Sequence, residues 1–176
     1  MVEDQRFASM RPDVVVYRTA PLAADVVIAG PVVASIFAST SGTDADWIVK
    51  LIDVYPGDAK DNTPNAKGVR MGDFQMLLAG EVFRGRYRTS FSTPAALVPN
   101  QPAKYEFDMR DKFHRFIKGH SIMVQVQSTW FPVIDRNPQT FVDIYTAKDT
   151  DFRVATHRVY RTPAMPSGVR VGVVTR

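Results

Sequence analysis

The chain has 176 residues, of which 45% are hydrophobic and 23% charged, and this composition is typical of an ordinary globular protein. No apolar run approaches the ~20 residues of a membrane span, so a membrane partner is not expected. The absence of cysteine excludes disulfides and thiol chemistry. The net charge of +4 is not gathered into a basic run, so a nucleic-acid partner is not expected either.

Almost every segment has the composition or the period of a β-strand. In chain order, we predict strands over residues 14–17, 26–40, 47–55, 74–78, 81–89, 105–109, 122–128, 141–145, 152–160 and 169–174. Gly30-Pro31 predicts either a bend in the second strand or its division into two, and Ala79-Gly80 predicts a bulge or a turn. No long segment carries a convincing helical stripe. Many short strands with Pro and Gly turns indicate a sandwich or a barrel.

Two strands carry alternating charge. In residues 104–109 the acidic side chains Glu106 and Asp108 lie on one face, and the apolar side chains lie on the other. The same alternation predicts one shared face for Arg84, Arg86 and Arg88. We therefore expect a salt-bridged sheet face in which at least one of these arginines meets an acidic side chain of residues 104–109.

Gly119-His120-Ser121 resembles the start of the G-x-S-x-G elbow of serine esterases. That elbow requires glycine two residues after the serine, and Met123 stands there. The next residues alternate with the period of a half-buried strand, which predicts that Ser121 begins a strand and is not a nucleophile. We expect Ile122, Val124 and Val126 to lie in the core.

Carboxylates and histidines offer no self-contained metal site. Several acidic and amide side chains could supply calcium ligands, although no EF-hand pattern is present and turn formation explains them better: Asp44, Asp46, Asp53, Asp58, Asp61 and Asn62. His114 and His120 lack zinc spacing and are expected to be structural, and no partner residues are evident for His157. The sequence predicts neither a metal nor a cofactor.

The large aromatic side chains allow three interpretations. Trp47, Trp130 and Phe131 could lie in the core, line a sugar-binding groove or contact another protein surface. Adjacent rings at a strand end face opposite ways, so one of Trp130 and Phe131 is expected to be exposed. We take all three residues as candidate inter-domain or self-association contacts.

Several motifs together resemble the C-terminal domain of the X-Pro dipeptidyl-peptidase and cocaine esterase family, which includes the α-amino acid ester hydrolases and glutaryl-cephalosporin acylases. These motifs lie in the same order over much of the chain: 11–17 with 19–22, 44–47 leading into 50–56, 81–88, 119–126, Phe131-Pro132 and 135–137. The similarity is greatest to the α-amino acid ester hydrolase branch.

The resemblance implies an all-β jelly-roll sandwich of the galactose-binding-like kind, forming one domain over residues 1–176 at the C-terminus of a larger serine hydrolase. It places the catalytic triad upstream, in an α/β-hydrolase domain, so no catalytic residue is assigned to this chain. The implied role is to brace that domain, help enclose its active site and support homo-oligomers.

Two other functions remain open at this point: a free-standing carbohydrate-binding module, and an esterase that uses Ser121. The polar, acidic start of the chain is unlike a secretory signal. The compartment is left open, with a periplasmic or exported parent protein as one option.

Overall fold

A computed structural model of the chain describes residues 3–175, and its strands form a β-sandwich. Within that range it has one short helix, α1 (Arg6–Ser9), and nine strands: β1 (Val15–Arg18), β2 (Val26–Thr40), β3 (Asp46–Val54), β4 (Gln75–Arg84), β5 (Ala103–Phe116), β6 (Ser121–Gln127), β7 (His157–Thr162), β8 (Met165–Pro166) and β9 (Gly168–Val173). Single 3₁₀ turns occur at Gly85–Tyr87, Ile144–Thr146 and Asp149–Asp151. Across the described residues, no helix is both long and apolar enough to span a membrane.

Two antiparallel sheets face each other. Sheet A has the strand order β1-β6-β3-β4, and sheet B has the order β5-β2-β7-β8, with β9 also paired to β2. The long strand β2 is paired with β5 along one side, while β9 and then β7 share its other side. The predicted all-β sandwich is confirmed.

The core between the sheets is built from alternate residues of both. Trp47, Val49 and Leu51 of β3 face Ile36 of β2 and other apolar side chains of sheet B. Each large apolar side chain fully buried in this way stabilises the fold by roughly 1.5–3 kcal/mol. From β6, Val126 is buried in this cluster, and Ile122 and Val124 pack against it half-buried, which bears out their predicted direction.

The outer face of sheet A is covered by the N-terminal segment, residues 3–14, which we call the strap. The strap begins beside β4, where the amide of Gln5 donates to the Gln75 carbonyl at 2.9 Å and the amide of Leu77 donates to the Glu3 carbonyl at 2.9 Å. After α1 it leads into β1 at the opposite edge of the sheet. As a result, β3 is buried at all nine positions.

The prediction of a half-buried β6 was therefore wrong. Met123, Gln125 and Gln127, on the face opposite the core, are buried too. A polar pattern indicated solvent, but these amides lie under a third layer of chain, which the period of the strand alone cannot reveal.

At Gly30-Pro31 and at Ala79-Gly80 the sequence allowed either one irregular strand or two strands. The structure has one irregular strand at each place. β2 runs unbroken through Gly30, whose φ of +93° favours glycine, and its pairing with β5 shifts between Pro31 and Val33. β4 crosses Ala79-Gly80 with a bulge, because Leu51 pairs with Ala79 and the next residue of β3 pairs with Leu77. The strand predicted over 141–145 is absent, and the one predicted over 152–160 begins only at His157.

Candidate inter-domain surface

The long loop, residues 128–156, joins β6 to β7 and contains no strand. It carries a set of large apolar side chains that are exposed: Phe131, Val133, Phe141, Tyr145 and Val154. A loop of this length whose only regular structure is two 3₁₀ turns is uncommon in a compact domain, and such loops often carry function. The contacts that attach this loop to the sandwich therefore fix the position of its exposed side chains.

A buried ionic network holds this loop to the ends of β3 and β4. Arg86 forms an ion pair with the fully buried Asp44 at 2.5 Å and also donates to the Val142 carbonyl of the loop at 2.7 Å. Asn137 donates to Asp44 and to Asp46, each at 3.0 Å. Two residues of the loop are thus bound directly to charges that the core excludes from water.

The second carboxylate of this network, Asp46, lowers the stability of the fold when it is charged. Asp46 is fully buried, its Oδ2 atom has no hydrogen-bond partner, and Arg84 is 3.8 Å away. Burial raises the pKa of Asp46 to about 6, and the Asn137 amide and the Arg84 guanidinium oppose the rise. The charged form of Asp46 therefore lowers the stability of the folded chain near neutral pH.

The predicted arginine face is wrong. β4 ends at Arg84, and the 3₁₀ turn that follows sends Arg86 inward. This turn brings Gly85 against Ala45 and leaves no room for a side chain, since a Cβ at Gly85 would lie 2.9 Å from the Ala45 carbonyl oxygen. Arg88 donates to loop carbonyls, at 2.8 Å for Ala95, and none of the three arginines forms an ion pair with Glu106 or Asp108 in the described chain.

The three aromatic contacts predicted from the sequence lie in different environments. Trp47 is in the core with 1% of its surface exposed, and Trp130 is 7% exposed. Phe131 is 60% exposed, so the two adjacent rings do face different surroundings. Of the three residues, Phe131 is the one whose ring another surface can reach directly.

Trp130 covers a buried lysine on the outer face of sheet A. The Lys50 ammonium lies 4.5 Å from the centre of the Trp130 ring and 5.9 Å from that of Phe7 in the strap, and it donates to Gln5 Oε1 at 2.8 Å. Lys50 is fully buried, and no carboxylate forms an ion pair with it in residues 3–175. Burial lowers the pKa of Lys50 to about 8.

The strap and residues 130–133 together form what we call the cover of sheet A. Beneath it lie Lys50 and the second apolar cluster, which includes Ile52 and Met123. Its outer surface exposes Phe7, Met10, Phe131 and Val133. A cover that buries a lysine and still exposes apolar side chains is our candidate surface for contact with another domain.

Ser121 begins β6 as predicted, and its hydroxyl is fully buried without a hydrogen-bond partner. The neighbouring His120 bonds Asp53 instead, at 2.8 Å from its Nδ1, and His114 bonds the other oxygen of the same carboxylate at 2.9 Å. These contacts join β3 of sheet A to β5 of sheet B and to the turn before β6, so both histidines hydrogen-bond as expected, although their partner lies on another strand and not within the turn. Asp53 could not be identified as their partner from the sequence, because it lies 61 residues from His114 and 67 residues from His120.

Two of the remaining polar candidates, Asp61 and His157, make unrelated contacts. Asp61 accepts the Met71 amide at 2.7 Å, which is the loop chemistry expected of it, and His157 packs edge-on against Trp47 at 5.3 Å. Burial lowers the pKa of His157, which favours its neutral form. No group of three or more acidic, histidine or cysteine residues in the described chain is arranged to hold a metal ion.

Comparison with known proteins identifies the family of this chain. Residues 3–170 match the family described as the X-Pro dipeptidyl-peptidase C-terminal non-catalytic domain. Over 173 residues the chain is 31% identical to cocaine esterase from Rhodococcus sp. (strain MB1 Bresler), covering 98% of this chain and 28% of that protein.

Two solved structures resemble the sandwich closely. An aminopeptidase from a marine sediment archaeon, Thaumarchaeota archaeon, superposes with a TM-score of 0.92 at 44% identity, over 99% of this chain and 28% of that one. An α-amino acid ester hydrolase superposes with a TM-score of 0.90 at 47% identity, over 98% of this chain and 27% of that one. The chain therefore spans little more than a quarter of each of these proteins, and it belongs to the family of X-Pro dipeptidyl-peptidase C-terminal non-catalytic domains.

Proposed function

We propose that this chain serves as the accessory domain of a larger serine acyl hydrolase, and that the cover of sheet A packs against the α/β-hydrolase domain. In this role it braces the catalytic domain and helps enclose the active site. The observation that carries the proposal is the cover itself, an added layer that buries Lys50 and leaves Phe7 and Phe131 exposed.

The position of the strap supports this assignment. The family's domain is C-terminal, so the rest of a relative's chain precedes it and joins at the strap. The strap lies beside β4 and crosses sheet A, on the same side as Trp130 and Phe131. A preceding domain is therefore tethered next to the exposed apolar side chains. Inter-domain contacts typically cover roughly 600–1,500 Å².

The activities for which the relatives are named indicate the class of reaction. A cocaine esterase, an aminopeptidase and an α-amino acid ester hydrolase all cleave ester or amide bonds. We propose that the parent protein acts on esters or amides of small acyl or aminoacyl groups through an acyl-enzyme. The catalytic serine belongs to the preceding domain, because Ser121 is buried and lacks a base.

A chimeric enzyme tests the proposal. This chain replaces the corresponding 27% of the α-amino acid ester hydrolase, to which it is 47% identical. We expect the chimera to hydrolyse esters, and Phe131→Asp in the cover to lower its activity and thermal midpoint. The matched control is Phe113→Asp on β5 of sheet B, whose ring is 82% exposed.

The contrast between the two variants is decisive. Loss of activity in the Phe131→Asp chimera with retention in the Phe113→Asp chimera supports contact through the cover. Equal behaviour of both variants, or a larger loss for Phe113→Asp, contradicts it.

We also propose that the isolated chain forms homo-oligomers, since an apolar cover without its domain partner is prone to self-association. Phe131 is the candidate contact. Trp47 and Trp130, at 1% and 7% exposed, are too deeply buried to be direct contacts.

A further inference from the structure

The two sheets part along one edge of the sandwich, between β1 and β7. Val15 and Tyr17 of β1, with Val159 and Arg161 of β7, face into this gap, which we call the β1/β7 cleft. It contains two cavities of about 200 and 350 Å³ that share Val126 and Val159 as walls. No residue of the cover lines the smaller cavity, which is therefore a separate candidate site, whereas Pro12 and Asp13 of the strap line the larger one.

The smaller cavity is lined mainly by apolar side chains: Ile36, Val124, Val126, Val159 and Val169. Dry apolar cavities of ~150 Å³ in protein interiors accept benzene. A cavity of about 200 Å³ with these walls is therefore large enough for a phenyl ring or a short branched alkyl group.

Arg161 lies at the mouth of this cavity. Its guanidinium carbon is 4.7 Å from the centre of the Tyr17 ring, across the cleft on β1. No carboxylate forms an ion pair with Arg161 anywhere in residues 3–175. A guanidinium is always charged, matches the geometry of a carboxylate and retains its donors when it stacks on an aromatic ring. Stacking on Tyr17 reduces the side-chain entropy that Arg161 loses on binding an anion.

The other charged groups of the cleft do not oppose an anion at this position. Asp13 lines the larger cavity, but its carboxylate is paired with Arg11 at 2.5 Å. His157, also in the larger cavity, favours its neutral form because of burial. Arg161 is thus the one unpaired charge among the described residues that line the two cavities.

We propose that the β1/β7 cleft binds small molecules that combine a carboxylate with an apolar group. The apolar group occupies the cavity of about 200 Å³, and the carboxylate binds Arg161. The proposal does not depend on the inter-domain role of the cover.

Calorimetric titration of the 176-residue chain with 4-phenylbutyrate tests the proposal, with 4-phenylbutan-1-ol as the uncharged counterpart. We expect the acid to bind about tenfold more tightly than the alcohol, which corresponds to one charge-assisted hydrogen-bonded contact. Arg161→Gln removes this advantage. The matched control is Arg158→Gln on the same strand, whose guanidinium bonds Asn100 at 3.0 Å and not the cleft, and it leaves the advantage intact.

A second variant tests the cavity itself. Val159→Phe fills the shared wall and abolishes binding of both compounds, and circular dichroism checks that the variant remains folded. Should it fail to fold, the Arg161 and Arg158 pair still decides the question. No binding to the unaltered chain, or equal binding of acid and alcohol, overturns the proposal.

Discussion

The outer faces of the two sheets differ in how they hold charged side chains. On sheet B, Glu106 is exposed and forms ion pairs with Lys104 at 3.0 Å and Arg170 at 3.4 Å, so its charges remain in water. On sheet A, Lys50 is buried beneath the strap and Trp130, and no carboxylate compensates its charge in the described chain. Because this face buries a cation at a cost and covers it with exposed apolar side chains, it is the face that we propose for contact with another domain.

The largest expected effect comes from the buried network that anchors the long loop. Asp44→Ala leaves Arg86 buried and unpaired, and removing one partner of a buried pair costs about 3–5 kcal/mol of unfolding free energy. Urea denaturation measures the change. The control is Glu106→Ala on the outer face of sheet B, which we expect to leave the midpoint unaltered because its ion pairs are exposed. Similar losses in both variants contradict the contrast between the faces.

Lys50→Met is expected to raise the stability of the isolated chain, because it removes a buried charge. The pKa of Lys50 falls from 10.5 to about 8 on folding, so the unfolded chain binds more protons between these values. The stability of the unaltered chain therefore rises with pH over that window relative to the variant. At pH 7 this change in pKa corresponds to roughly 3 kcal/mol, and loss of the Gln5 hydrogen bond offsets about 1 kcal/mol of it, so we expect the isolated variant to be more stable by roughly 2 kcal/mol. A less stable variant shows that the Gln5 and Trp130 contacts outweigh the burial cost.

Asp46→Asn tests whether burial of the Asp46 carboxyl makes stability depend on pH. The pKa of Asp46 rises from 3.8 to about 6 on folding, so here the folded chain binds more protons. The unaltered chain therefore loses stability relative to the variant as the pH rises from about 4 to 6, by roughly 2 kcal/mol. Denaturation curves for both proteins across this range measure the difference. A constant difference with pH means that Asp46 does not titrate there.

Phe131→Ser has the smallest expected effect on stability, because the ring is already 60% exposed. Its expected effect is on association. Light scattering across a concentration series should show the unaltered chain forming oligomers and the variant remaining smaller. Phe113→Ser on sheet B is the control, and equal self-association of both variants removes Phe131 from the contact.

The sequence predicts the sandwich well because alternation encodes which side of a strand faces the core. It misses the third layer, since residues 3–14 carry no period and Lys50 in β3 suggests an exposed face. It also misses the network around Arg86, because one tight turn at Gly85 redirects an alternating arginine row. A glycine inside that row was the available signal.

The candidate surface could be predicted only in part. Adjacent rings at a strand end indicate that one of Trp130 and Phe131 is exposed, but not which one. That choice depends on Lys50 and Gly80, since a Cβ at Gly80 would lie 2.8 Å from the Trp130 ring. Contacts over such sequence distances arise from packing and leave no local pattern.

Hydrogen–deuterium exchange tests the central claim most directly, by comparing this chain alone with the same chain joined to the catalytic part of the α-amino acid ester hydrolase. We expect the amides of residues 7–10 and 130–133 to exchange more slowly in the joined protein, and those of β5 and β9 to be unchanged. Protection confined to β5 and β9, with the cover exchanging as it does in the isolated chain, would contradict the claim that the cover is the inter-domain surface.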